Sequence, residues 1–126
     1  MEEAQHVHTI PLYLTPAAAG YTSPAFGEDF EEMAVNDDRV DFAVKIDGDS
    51  MAPILQDGDV AYVERAPLED GDVGVFCLNG DMLCKQYRRE ENGVVRLVSL
   101  NRARADADRT VGEDDTLTCF GRVILR

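Results

Sequence analysis

The chain is predicted to fold as a mostly β domain of compact antiparallel sheet, preceded by an extended N-terminal arm. Two features predict this. Six short β-rich segments follow one another from residue 42 onward, and Gly, Asn and Asp turn residues separate them. No long amphipathic helical pattern competes with that reading, and no helix-turn-helix is visible. At 126 residues, one domain is expected, because two folded halves would each be marginal.

Residues 1–27 contain Pro11, Pro16, Pro24, Gly20 and Gly27 around the small run Ala17-Ala18-Ala19. That composition predicts an extended, mobile arm rather than a helix or a packed core. Residues 28–126 are the folded domain. Its first stretch, EDFEEMAVNDDRVD (28–41), is acidic, and one helical turn with a solvated surface is expected there. The strands follow as FAVKI, VAYVE, DVGVFCL, MLCKQY, VVRLVSL and TLTCFGRVIL. Asp57-Gly58-Asp59, Asp70-Gly71-Asp72, Asn79-Gly80 and Asn92-Gly93 separate them. Asn79-Gly80 favours a two-residue type I′ hairpin, since both positions tolerate positive φ. Counting outward pairs Leu78 with Asp81, Cys77 with Met82, Phe76 with Leu83, Val75 with Cys84 and Gly74 with Lys85. Alternation then sets Lys85 on the face that carries Phe76 and Leu83.

Charge narrows the partners. Twelve basic against twenty-five acidic side chains give a net charge of −13. Nucleic-acid binding needs clustered cations, and an anionic membrane repels such a surface. Arg88-Arg89, and Arg102 with Arg104, read as surface ion partners. No apolar run approaches the ~20 residues of a spanning helix. The opening MEEAQHVHTIPLYL carries acids where a secretory signal carries cations, so a cytoplasmic protein is expected. Cys77, Cys84 and Cys119 lack CxxC spacing and read as small apolar fillers of strands. The Asp-Gly-Asp triplets at 47–49, 57–59 and 70–72 fit turn chemistry better than a calcium loop. No metal or cofactor is expected.

Residues 48–53, Gly-Asp-Ser-Met-Ala-Pro, would turn a strand into a Pro-containing helical turn with Ser50 at the bend. Backbone N–H groups at such a bend can converge on an oxyanion. An ordinary turn with a capping serine has the same composition. A serine nucleophile needs a base. His6 and His8 lie near the terminus, Lys45 sits on the approaching strand, and Lys85 ends the hairpin. A lysine among apolar strand neighbours loses hydration and becomes a neutral amine more readily. A lysine at a strand end keeps its ammonium in water. Ser-Lys is one variant of triad logic.

Gly48-Asp49-Ser50-Met51-Ala52-Pro53, Asp57-Gly58-Asp59-Val60, Gly71-Asp72-Val73-Gly74-Val75-Phe76 and Cys84-Lys85-Gln86-Tyr87 together resemble the LexA-like, S24-type self-cleaving domains. The resemblance runs over about residues 8–125 and includes Leu97-Val98-Ser99-Leu100-Asn101 and Phe120-Gly121-Arg122-Val123-Ile124. It implies the strongly bent β fold shared with signal peptidases, Ser50 as nucleophile and Lys85 as neutral general base. It further implies an oxyanion hole from the backbone of Asp49 and Ser50, and cleavage of the chain's own Ala19-Gly20 bond. Within the family, the 97–101 stretch looks more like the phage-type regulators than the polymerase accessory proteins. The implied protein is the C-terminal domain of a repressor that dimerises and meets DNA only through a helix-turn-helix domain absent from this chain. An activated recombinase filament is the implied trigger. A non-cleaving dimerisation module, or a free-standing UmuD-like polymerase accessory protein, is the alternative.

Overall fold

Apolar alternation and short turns build nine strands in the computed structural model, which describes residues 7–14 and 30–125. In chain order these are β1 (His8–Tyr13), β2 (Phe30–Val35), β3 (Phe42–Lys45), β4 (Val60–Glu64), β5 (Val73–Leu78), β6 (Asp81–Arg89), β7 (Val95–Val98), β8 (Arg109–Val111) and β9 (Leu117–Ile124). A short 3-10 helix, Arg102–Ala107, joins β7 to β8. The strands form one sheet in the order β2-β1-β3-β4-β9-β5-β6-β7-β8. Every pairing is antiparallel except β1 with β3. The mostly β fold expected from the sequence is the fold observed.

All six predicted segments are strands. The Asn79-Gly80 hairpin has the predicted register at each of its five pairs, from Leu78 opposite Asp81 to Gly74 opposite Lys85. Both turn residues have positive φ, 52° at Asn79 and 93° at Gly80, as a type I′ turn requires. Strand β5 is buried along its whole length. One of its faces contributes Val73, Val75 and Cys77 to a cluster with Met51, Met82 and Cys84. The other contributes Phe76 and Leu78 to a cluster with Leu83 and Leu97. With almost no helix to cover it, a single sheet can bury both faces of a central strand only by curling over itself.

Three segments differ from expectation. Residues 30–35 form strand β2 rather than a helical turn, because pairing with β1 supplies hydrogen bonds that an acidic, isolated turn lacks. Residues 8–13 of the expected arm are extended, but they belong to the sheet and bury Ile10. Pro11 is tolerated in β1 since β3 pairs only with Leu12 and Tyr13, past the position that lacks an N–H. Strand β8 was too short to show as a periodic run. Among the described residues no helix is long and apolar enough to cross a membrane.

Candidate active site

The bend at Ser50 is held from both ends. After β3, Ile46 N–H donates to the Asp59 carbonyl at 2.8 Å and Gly58 N–H donates to the Ile46 carbonyl at 2.9 Å, closing the loop at its base. Gly48 turns the chain with φ 91°, and its N–H donates to the Asp57 carboxylate at 2.8 Å. Ala52 N–H then bonds the Asp49 carbonyl and Leu55 N–H bonds the Met51 carbonyl, giving one turn rather than a helix. Met51 and Leu55 are buried and anchor this turn in the core, while Ser50 between them and the bend stays half-buried. The Ser50 N–H makes no hydrogen bond among the described residues.

Lys85 resolves the choice that its sequence context leaves open. It lies within β6 opposite Gly74 and is 4% exposed, so its amine is not in bulk water. Its Nζ donates to the Ser99 Oγ at 2.8 Å, and Ser99 is itself fully buried. Burial pushes the Lys85 amine below the ordinary lysine value. The charge of Asp108 opposes this from a distance, but no carboxylate forms an ion pair with Lys85 among the described residues.

One run of chain, residues 99–101, ties the two groups together. Ser99 holds the Lys85 amine, Leu100 N–H approaches the Met51 Sδ at 3.5 Å, and Asn101 N–H donates to the Ser50 carbonyl at 2.9 Å. The Asn101 side chain donates to the Asp49 carbonyl at 3.0 Å and accepts from Ala103 N–H, so it caps the 3-10 helix and braces the bend at once. Arg104 adds two hydrogen bonds to the Asp49 carboxylate, at 2.9 and 3.0 Å, which hold that carboxyl below its usual range. Two residues of extended chain span at most ~7 Å, so the amine's partner and the bend's anchor share one neighbourhood.

Ser99, Asn101 and Arg104 carry no chemistry in the sequence reading. Ser99 could have been found from register: β6 and β7 pair Gln86 with Val98 and Tyr87 with Leu97, and one further step sets Ser99 across from Lys85. A two-residue turn at Asn92-Gly93 would instead set Leu100 there. The actual loop has three residues, closed by Glu90 N–H to the Val94 carbonyl with Gly93 at φ 84°. That single-residue difference decides which side chain faces the amine.

The remaining candidates fall outside this cluster. Lys45 is exposed at the end of β3. His8 points its Nε2 at the Val40 carbonyl, 3.0 Å away; a carbonyl only accepts, so that nitrogen carries the proton. His6 and the expected cleavage site, Ala19-Gly20, lie outside the described residues. Cys77 and Cys84 are buried strand fillers as expected, and burial pushes the Cys84 thiol up to about 12. Cys119 departs from that expectation: it is exposed on β9, where a register shift against β5 interrupts the alternation that buries Gly121 and Val123. Four carboxylates of the Asp-Gly-Asp triplets accept hydrogen bonds from backbone N–H groups: Asp57 from Gly48, Asp59 from Gln56, Asp72 from Glu69 and Asp70 from Arg89. Arg88, Arg102 and Arg104 pair with Asp70, Asp108 and Asp49.

Comparison with known proteins bears on the family of the chain. Protein MucA of Salmonella typhimurium and Protein MucA of Escherichia coli are each 31% identical to this chain over 90 residues, which is 66% of this chain. The chain spans 62% of the length of these curated relatives. The Peptidase S24-like family matches residues 11–124, from β1 to the end of β9. A match over that span leaves one conclusion: the chain belongs to the Peptidase S24-like family.

Proposed function

We propose that this chain is an intramolecular serine peptidase that cuts its own Ala19-Gly20 bond with Ser50 as nucleophile and Lys85 as general base. The observation that carries the reading is the Lys85 amine: buried, hydrogen-bonded to a hydroxyl rather than a carboxylate, and tied through residues 99–101 to the Ser50 bend. A carboxylate partner would hold the ammonium charged; a neutral hydroxyl in a dry site favours the free amine.

The neutral amine takes the proton of the Ser50 hydroxyl as Ser50 Oγ bonds to the Ala19 carbonyl carbon. The developing oxyanion accepts from backbone N–H at the bend, for which the Ser50 N–H, without a partner among the described residues, is suited. As the Ala19-Gly20 bond breaks, the Lys85 ammonium returns its proton to the Gly20 nitrogen. Water then hydrolyses the acyl-serine by the same base. Small side chains at Ala17 to Gly20 allow close approach, and tethering supplies a high effective concentration. Docking of the arm keeps water from the reacting bond at Ser50, beside the already buried Lys85 amine.

In its finer context this reading makes the domain the C-terminal part of a dimeric cytoplasmic repressor, responsive to an activated recombinase filament. The resemblance of Leu97–Asn101 to phage-type regulators supports it. The test is incubation of the purified protein from pH 7 to 10.5 followed by intact-mass measurement. Fragments ending at Ala19 and beginning at Gly20 are expected, faster as pH rises, and absent from Ser50→Ala and Lys85→Ala. An intact chain throughout, or cleavage that survives both substitutions, overturns the reading. Adding recombinase filament to the same assay tests the trigger.

A further inference from the structure

Ser99 has no role in the chemistry above, yet it is the only hydrogen-bond partner of the Lys85 amine among the described residues. It is also unusually well fixed. Its N–H donates to the Asp108 Oδ1 at 2.8 Å, and its carbonyl accepts from Arg102 Nη1 at 2.8 Å. Asp108 is held in turn by Arg102 at 3.0 Å and Arg96 at 3.3 Å. Burial works to raise the Asp108 carboxyl, but its bonds to Arg102 and the Ser99 N–H, with the nearby arginine charges, keep it below the usual carboxylate range. Ser99 thus hangs from an ionised anchor that is invariant across neutral and alkaline pH.

A neutral amine has two N–H donors and one lone pair. If one N–H is committed to Ser99 Oγ, rotation about the terminal bond is restricted and the lone pair has a defined direction. A serine just past the end of β7, clamped at both its N–H and its carbonyl, is a rigid acceptor for that purpose. From this geometry we infer that Ser99 is a positioning residue, which orients the Lys85 amine for proton transfer to and from Ser50. The inference rests on the proposed Ser50–Lys85 chemistry and adds a third side chain to it. The charged groups that act on Lys85 from surrounding elements are Asp108, Asp106 and Arg109, with the Cys84 thiol beside it in β6. None of them replaces the hydroxyl at contact distance.

The test uses the whole chain and its Ser99→Ala and Ser99→Thr variants. Self-cleavage is followed from pH 7 to 10.5, and the Cε resonances of isotopically labelled lysine are titrated by NMR. The chain has two lysines, and Lys45 is exposed, so Lys85 is assigned by difference. Ser99→Ala is expected to slow cleavage on the order of ten- to a hundredfold, the scale of a misplaced reacting group. It should also lower the pH at which Lys85 titrates, because the ammonium loses an acceptor. Ser99→Thr, which keeps the hydroxyl, should recover most of the rate and the wild-type titration. A serine that only fills space would leave both profiles where they were, and that outcome overturns the inference. If the wild-type chain never cleaves while Lys85 still titrates lower in Ser99→Ala, the peptidase reading falls and the Ser99–Lys85 pairing stands.

Discussion

Lys85 concentrates the energetic conflict of the molecule in one side chain. Burial lowers its folded-state pKa below the ordinary 10.5, with Asp108 acting in the opposite direction. Between the lowered value and 10.5 the unfolded chain binds more protons than the folded one, so stability rises with pH across that window. Below it the full cost of burying the charge is present. Lys85→Met is therefore expected to raise stability at pH 7 by about 1 kcal/mol or more. That gain should shrink as pH climbs toward 10.5, where both states of the wild type lose the charge. Urea midpoints at pH 7 and pH 10 measure it; a gain that grows with pH would contradict the assignment. The same burial predicts that self-cleavage climbs through a pH lower than that of an exposed lysine. The hydroxyl that receives this amine was not found from the sequence. Its position depends on a loop one residue longer than the Asn-Gly dipeptide suggests.

Strand β9 carries the clearest structural device. It pairs β4 on one side and β5 on the other, with a register shift at which Val75 faces Gly121 and Phe76 faces Cys119. Gly121 has φ 156°, and a Cβ there would lie 2.6 Å from the Glu64 carbonyl oxygen. Backbone atoms of β4 cannot yield as a flexible side chain would. Gly121→Ala should cost about 2 kcal/mol, measured by denaturant unfolding. The loss should leave the Lys85 titration unmoved, since the bulge lies on the far side of β5 from β6. The strands themselves were legible as apolar runs between turn residues, and the Asn79-Gly80 register followed from the φ preferences of two residues. The β1–β2 pair was not. Its residues show a weak pattern, and what makes them strands is mutual pairing across a long connection, closed by contacts such as Tyr13 with Phe30, ring centroids 5.8 Å apart.

The whole molecule sets the kinetics expected of the proposed reaction. If the substrate is a tethered segment of the same chain, cleavage is first order. Its rate constant should be unchanged across a hundredfold dilution, and wild-type protein should cut a Ser50→Ala partner far more slowly than itself. A rate proportional to concentration would place the reaction between chains instead. The net charge of −13 bears on the same experiment, because self-repulsion opposes non-specific encounters.

By itself the sequence determined the fold class and the central hairpin with its register, and its resemblance to the S24-type domains singled out Ser50 and Lys85 as candidates. The fold and the register follow from local preferences, namely turn residues and alternation. Only the tertiary structure decided that the Lys85 amine is dry, that Ser99 rather than a carboxylate receives it, and that Asn101 and Arg104 brace the Ser50 bend. Hydration is a property of what surrounds a group, and those surroundings come from strands and loops far apart in the chain.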